Sequence, residues 1–199
     1  MEIGTNLTAL LKDREKNDYR VEHFQITALD KNGYRIALRD GIPPGKYVRL
    51  VHKNETLMSN TPMEIKSNTT FCERANGDVL IGGLGIGMIV LPIMEKENVK
   101  SITILEKNQE VIDIIAPQLN FNEKVHIVQA DVFTWEPEEG TLYDCIYLDI
   151  WPYVNPNIYK NEMYPLKQRY RKYLKPSSIS LNRFIRCWAE KEARRQIVF

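Results

Sequence analysis

The sequence is short of the residues that staple small folds. Its 3 cysteines, Cys72, Cys145 and Cys187, are an odd number without metal-ligand spacing, and its 3 histidines, His23, His52 and His126, lie far from any cysteine pair. It therefore offers neither a disulfide framework nor a metal site, and the thiols read as packing residues in a reducing compartment. Long apolar runs are also missing. The longest uncharged one, Val79 to Met94, is too short for a membrane span and is broken by glycines. Met1 to Asp18 shows no basic stretch leading into an apolar core, so no signal peptide is expected, and the expected location is cytoplasmic with no membrane partner. No internal repeat or low-complexity tract is visible.

What is present is an ordinary globular composition with unusually segregated charge. Across 199 residues the formal net charge is +1, yet residues 78–159 carry 4 Lys/Arg against 13 Asp/Glu, and residues 160–199 carry 11 against 3. An acidic middle and a basic tail can neutralise each other across the fold. The alternative is a tail that meets an anionic partner such as nucleic acid. The interleaved Tyr159, Tyr164, Arg169, Tyr170, Arg171, Lys172 and Tyr173 fit either an amphipathic face packed on a sheet or a nucleic-acid surface.

The stretch Asp78-Val-Leu-Ile-Gly-Gly-Leu-Gly-Ile-Gly-Met88 joins an apolar strand to a helix through Gly83, Gly85 and Gly87. Such a turn lets backbone approach a nucleotide-like ligand closely, and a helix N-terminus behind it attracts negative charge. The dinucleotide fingerprint needs a further glycine where Met88 stands, which disfavours a pyrophosphate cradle for NAD. Downstream the pattern alternates strand and helix. Strands are predicted at Val79–Gly82, Ser101–Leu105, Val125–Gln129 and Tyr143–Leu148, with helices at about Met88–Glu97 and Gln109–Leu119. This alternation predicts right-handed βαβ units in a parallel sheet. Glu106, Asp131 and Asp149 follow three of these strands, and in open α/β sheets that edge is where ligands bind.

The flanks read as additions to this core. Residues 5–17 predict a short amphipathic helix. Val21–Leu29 and Tyr34–Leu38 predict a hairpin through Asn32-Gly33, and Lys46–His52 a third strand. Thr61-Pro62 starts a helix running to about Arg74. After Asp149, a proline-broken loop leads to a helix over Ile158–Leu174. A last short strand is expected at Ile179–Leu181, then a basic helix from about Arg183 to Gln196. The expected fold is α/β: a Rossmann-like doubly wound, mostly parallel sheet, shortened because there is no room for two further strands, with a small N-terminal antiparallel β region. The expected divisions are 1–60 for the N-terminal helix and β region, 61–182 for the α/β domain and 183–199 for the basic C-terminal helix.

Residues 78–149 resemble the class I S-adenosylmethionine-dependent methyltransferase superfamily. Over roughly residues 20–150 the chain is similar to its spermidine-synthase-like branch, through the small N-terminal β region, Met58-Ser-Asn-Thr-Pro-Met-Glu64 and Asp149. The resemblance implies S-adenosylmethionine as cofactor. It places Gly83, Gly85 and Gly87 under the methionine part, Glu106 on the ribose with Lys107 beside it, and Asp131 and Val132 on the adenine. It also implies Asp149 as the residue nearest the transfer, with Trp151 and Tyr153 on the acceptor side, where their rings could stack on a planar substrate.

Two departures bear on the reaction. Aminopropyltransferases carry an acid inside the glycine turn and another just after the catalytic one. Here Val79–Met94 contains no acid, and Asp149 is followed by Ile-Trp-Pro. A dicationic amine needs paired carboxylates, so methyl transfer to an unidentified acceptor is the leading expectation. Aminopropyl transfer and a non-catalytic binding module are the alternatives. A homodimer, and nucleic-acid contact through residues 160–199, are the macromolecular partnerships left open.

Overall fold

The computed structural model describes residues 3, 6–27 and 42–195. The chain begins with a single helical turn, α1 (Leu7–Leu10), where the sequence predicts a longer helix. Leu7 and Leu11 are buried, but the chain then extends into β1 (Arg14–Lys16), because Asn17-Asp18 turns it back into β2 (Tyr19–Ile26). The predicted Asn32-Gly33 hairpin and the strand Tyr34–Leu38 lie outside the described residues. β3 (Gly45–His52) pairs antiparallel with β2, and β4 (Glu55–Ser59), which the sequence reading missed, returns along β3 through a turn at Lys53-Asn54. The order of this sheet is β1-β2-β3-β4.

Helix α2 (Pro62–Arg74) starts on Thr61-Pro62 as the sequence predicts. Proline suits the first helical position because its missing N–H would have no partner there. Glu64 reaches back instead, accepting from the Ser59 N–H at 2.9 Å and the Ser59 hydroxyl at 3.0 Å. Its carboxylate thereby becomes part of the β4–α2 corner.

The second sheet is parallel, built from β5 (Gly77–Gly82), β6 (Val99–Glu106), β7 (Val125–Gln129), β8 (Cys145–Leu148) and β9 (Phe184–Cys187) in the order β7-β6-β5-β8-β9. The strand order reverses beside β5, and the loops at the carboxyl ends of β5, β6, β7 and β8 share one edge. β5 and β8 are almost wholly buried and read as continuous apolar runs, as strands covered on both faces must. β7 is an edge strand, so His126 is exposed. The sheet is thus the Rossmann-like, shortened one expected, beside a small antiparallel sheet.

The last strand is not where the sequence places it. Ile179 and Leu181 are among the most exposed apolar residues, at 70% and 92%, while Phe184–Cys187 pairs with β8. The predicted basic helix shrinks to α7 (Glu190–Arg194), because residues 184–187 are taken by the sheet. The helix after the glycine turn is also short: α3 (Val90–Met94) has every residue buried. The next helix, α4 (Gln109–Ile115), runs into a 3-10 turn at Ala116–Gln118.

A helical run from residue 156 to 173 crosses the domain in pieces: α5 (Pro156–Ile158), a π turn (Tyr159–Met163), α6 (Tyr164–Tyr170) and a 3-10 turn (Arg171–Tyr173). Pro165 cannot donate into the preceding turn, and the wider π turn before it accommodates the break.

Several basic residues of this run and of the turn after it pair with carboxylates of the domain. Lys167 meets Glu190 at 2.7 Å, Lys172 meets Glu136 at 3.2 Å, and Lys175 meets both Asp78 and Asp144 at 2.7 Å. Part of the basic tail is therefore neutralised by the acidic middle of the chain. No helix among the described residues is long and apolar enough to cross a membrane.

Candidate functional site

At the carboxyl edge of the parallel sheet lies a cleft of about 280 Å³, lined by residues of the glycine turn, by the ends of β6, β7 and β8, and by β3 and β4 of the small sheet. Glu106 ends β6 and is 7% exposed. Its carboxylate accepts from the Leu84 N–H at 3.1 Å and from the Asn108 N–H at 2.9 Å and side-chain amide at 3.2 Å. Glu106 thus ties the glycine turn to the β6–α4 loop while still reaching the cleft.

Asp131 stands after β7. It accepts from the Phe133 N–H at 2.9 Å and pairs with Lys107 at 2.9 Å. The Phe133 N–H, then the Lys107 ammonium, hold its carboxyl below the usual carboxylate range against the opposing effect of burial. The loop behind it is pinned from α6. Arg169 donates to the carbonyls of Phe133, Thr134 and Trp135 at 2.8–3.0 Å, and the Tyr170 hydroxyl donates to the Val132 carbonyl at 2.8 Å.

The glycines are required by the fold around them as much as by any ligand. Gly83, Gly85 and Gly87 all have positive φ, at 98°, 52° and 73°. A β-carbon on Gly83 would run into the Asp149 carbonyl, one on Gly85 into the Met58 thioether and one on Gly87 into Leu119. Gly83 and Gly85 line the cleft, whereas Gly87 holds the turn from behind. α3 begins only at Val90, so the first turn of a long helix does not point into the cleft, contrary to the sequence expectation.

Asp149 follows β8 and also lines the cleft. Its Oδ2 is shut off from solvent and has no hydrogen-bond partner among the described residues. Burial, reinforced by the charge of Glu64, raises its pKa well above the ordinary carboxylate value. Burial likewise raises Glu64 to about 7, despite the opposing bonds from Ser59. The charge of Glu64 thus disfavours that of Asp149, and neither carboxyl has an ion pair among the described residues.

Sequence reasoning missed Glu64 as an electrostatic neighbour of Asp149, because it lies on α2, far along the chain, and behind the cleft lining itself. The one signal present was the resemblance of the Met58–Glu64 segment. Leu50, Leu57 and Met58, which reach the cleft from the small sheet, carried no other signal.

The acceptor-side aromatics part company. Trp151 lines the cleft but is 6% exposed, and its indole N–H donates to Glu162 at 2.8 Å, so it closes the end of the core more than it offers a face. Tyr153 is 51% exposed and is not part of the lining. No group of three or more metal-ligating side chains converges among the described residues.

No protein-family model matches the chain. No curated protein matches it either. Among solved structures it is similar to the plantazolicin methyltransferase BpumL in complex with a desmethylPZN analogue and SAH, at 20% identity over 55% of this chain and 39% of that one, with a TM-score of 0.40. It is similar to the N-methyltransferase NodS from Bradyrhizobium japonicum WM9 at 15% identity, over 58% of each chain, with a TM-score of 0.45. A coclaurine N-methyltransferase matches at 26% identity over 43% of this chain and 26% of that one, with a TM-score of 0.36. The chain spans about two fifths of the plantazolicin enzyme's length. All three scores lie below 0.5, so the functional reading rests on the chain's own residues.

Proposed function

We propose that the cleft binds S-adenosylmethionine and that the protein is a methyltransferase. The observation that carries this reading is the convergence of Glu106, Asp131 and Asp149, the acids following three parallel strands, on one cleft beside Gly83 and Gly85. The residues fit the group. Glu106 is held in place by backbone donors and would accept from the ribose hydroxyls. Lys107 would close over the same end. Asp131 would accept from the adenine amino group after Lys107 swings away, with Val132 against the ring. Gly83 and Gly85 let backbone pass under the methionine part, with Gly87 shaping the turn.

When bound, the cofactor supplies a methyl carbon open to in-line attack by a positioned nucleophile. Asp149 would receive the proton of that acceptor. Its raised pKa favours the neutral form in the unliganded protein. It ionises as a cation approaches and then takes the proton an acceptor amine must lose.

Aminopropyl transfer is the second reading, and one observation favours it. The sequence shows no second acid near Asp149, but in the fold the charge of Glu64 reaches it. Paired carboxyls are what an amine-bearing acceptor requires. Among the described residues the cleft also offers Lys107 as its single cation, already paired with Asp131, to meet a cofactor carboxylate.

Calorimetry with S-adenosylmethionine, its decarboxylated form and S-adenosylhomocysteine tests both. Preference for the carboxylated compounds supports methyl transfer, and preference for the decarboxylated one selects the alternative. A folded protein that binds none of them refutes both. Glu106→Ala and Asp131→Ala are expected to abolish binding while leaving the protein folded; normal binding by both variants overturns the assignment of the cleft.

A further inference from the structure

Helix α2 carries two stripes. Glu64, Asn68 and Phe71 pack toward the sheet: Asn68 accepts from the Tyr147 hydroxyl at 2.8 Å, and Phe71 stacks on the Tyr147 ring at 4.1 Å. Lys66, Ser67, Thr70 and Arg74 line a second and larger cleft of about 670 Å³, which opens between α2 and the β9–α7 segment. That volume is in the range of small-molecule sites. Phe71 and Phe184, edge to face at 6.1 Å, contribute its apolar floor, and Trp188 is anchored at its wall by donating to the Ser67 hydroxyl at 2.9 Å.

The rim is strongly cationic. Six Lys/Arg side chains line the cleft against Glu190 and Glu192. Lys167 is taken by Glu190. Arg74 lies over the Phe184 ring at 4.8 Å and Arg194 over the Tyr159 ring at 5.6 Å. The side chains of Lys66, Arg186 and Lys191 have no hydrogen bond or ion pair among the described residues. Three unpaired cations around an apolar hollow create a field that a bound anion would relieve.

We propose that this cleft is a second binding site, for a small organic anion (a carboxylate or phosphate on a flat apolar body). Lys66, Arg186 and Lys191 take the charge, and the Phe71–Phe184 floor takes the apolar body. Arg186 can engage either oxyanion through two parallel N–H donors. The concave shape selects a small ligand over a polymer. A nucleic-acid face would need the basic surface to continue, but Arg169, Lys172 and Lys175 are held by carbonyls and carboxylates of the domain itself. The proposal is independent of what the glycine-turn cleft binds.

The test is calorimetry on the full chain with naphthyl phosphate, naphthoate, the neutral naphthamide, inorganic phosphate and a short single-stranded oligonucleotide. The aromatic anions are expected to bind more tightly than the amide or inorganic phosphate, and to weaken with added salt. The triple variant Lys66→Gln/Arg186→Gln/Lys191→Gln alters side chains without partners, so it should fold; it is expected to lose at least about tenfold in affinity for them. Glu192→Gln is expected to strengthen binding. Failure of both aromatic anions to bind at millimolar concentration, or binding unchanged in the triple variant, overturns the proposal. So does an oligonucleotide that binds more tightly than either anion and is lost in the same variant.

Discussion

The two ends of β5 and β8 hold carboxyl groups in opposite ways. At the amino end, Asp78 and Asp144 close on Lys175, each at 2.7 Å. Asp144 also accepts from the Asp78 N–H at 2.7 Å, and Ser101 donates to Asp78 at 2.8 Å. At the carboxyl end, Asp149 lies within the electrostatic reach of Glu64, neither has an ion pair among the described residues, and Asp149 keeps a buried oxygen unpartnered. The first cluster is complete and needs nothing from outside. The second is incomplete, and a fold that tolerates such a cost holds it where a ligand can relieve it. The same strands thus separate stability at one end from binding at the other.

The largest expected effect breaks the complete end. Burial by itself would raise Asp144, but the Lys175 ammonium, the Asp78 N–H and Ser180 outweigh it and hold the carboxyl low. Lys175→Met strands two partly buried carboxylates and should destabilise the fold by about 2–4 kcal/mol in urea titration at neutral pH. Because the Asp144 pKa is lowered, the stability it contributes is present above the unfolded carboxylate value and is lost as pH falls through the folded one. The deficit of the variant should therefore shrink in acid. A loss that does not vary with pH contradicts this account.

The incomplete end should respond with the opposite sign. Glu64 is raised to about 7, so its favourable share is present below the unfolded value and is lost as pH rises through about 7. Glu64→Gln keeps an acceptor for Ser59 and removes the charge. It is expected to stabilise the free protein by about 1–3 kcal/mol at pH 8 and by little at pH 5. The same variant should bind an amine-bearing acceptor less well. Equal stability of variant and parent across this range removes the contrast between the two ends.

Much of this was legible in sequence, for a physical reason. Buried parallel strands are continuous apolar runs, so β5, β6, β7 and β8 and their terminal acids could be read locally. Phe184–Cys187 could not. Arg183 and Arg186 give it a basic look, and only pairing with β8 makes it a strand, while the equally apolar Ile179 and Leu181 are left in solvent. The glycine turn was read as leading straight into a helix, but packing against Leu119 and Met58 consumes its next residues before α3 starts. Glu64 was invisible as a partner of Asp149 because their approach is tertiary: it depends on α2 lying across β8 with Asn68 on Tyr147.

The smallest expected effect lies inside the glycine turn and asks which glycine answers to the fold. Gly83 is backed by the Asp149 carbonyl, which cannot yield without moving the strand end that carries the carboxyl pair. Gly85 is backed by the Met58 side chain, a flexible thioether rather than backbone. Gly85→Ala should therefore cost only the positive-φ strain, roughly 1 kcal/mol of stability. The displaced Met58 then has to move across the cleft it lines, so cofactor affinity should fall further than stability does. Met58→Ala in the same chain should restore affinity without restoring stability. If it restores neither, the turn itself contacts the cofactor at Gly85, and the small sheet is not what limits the site.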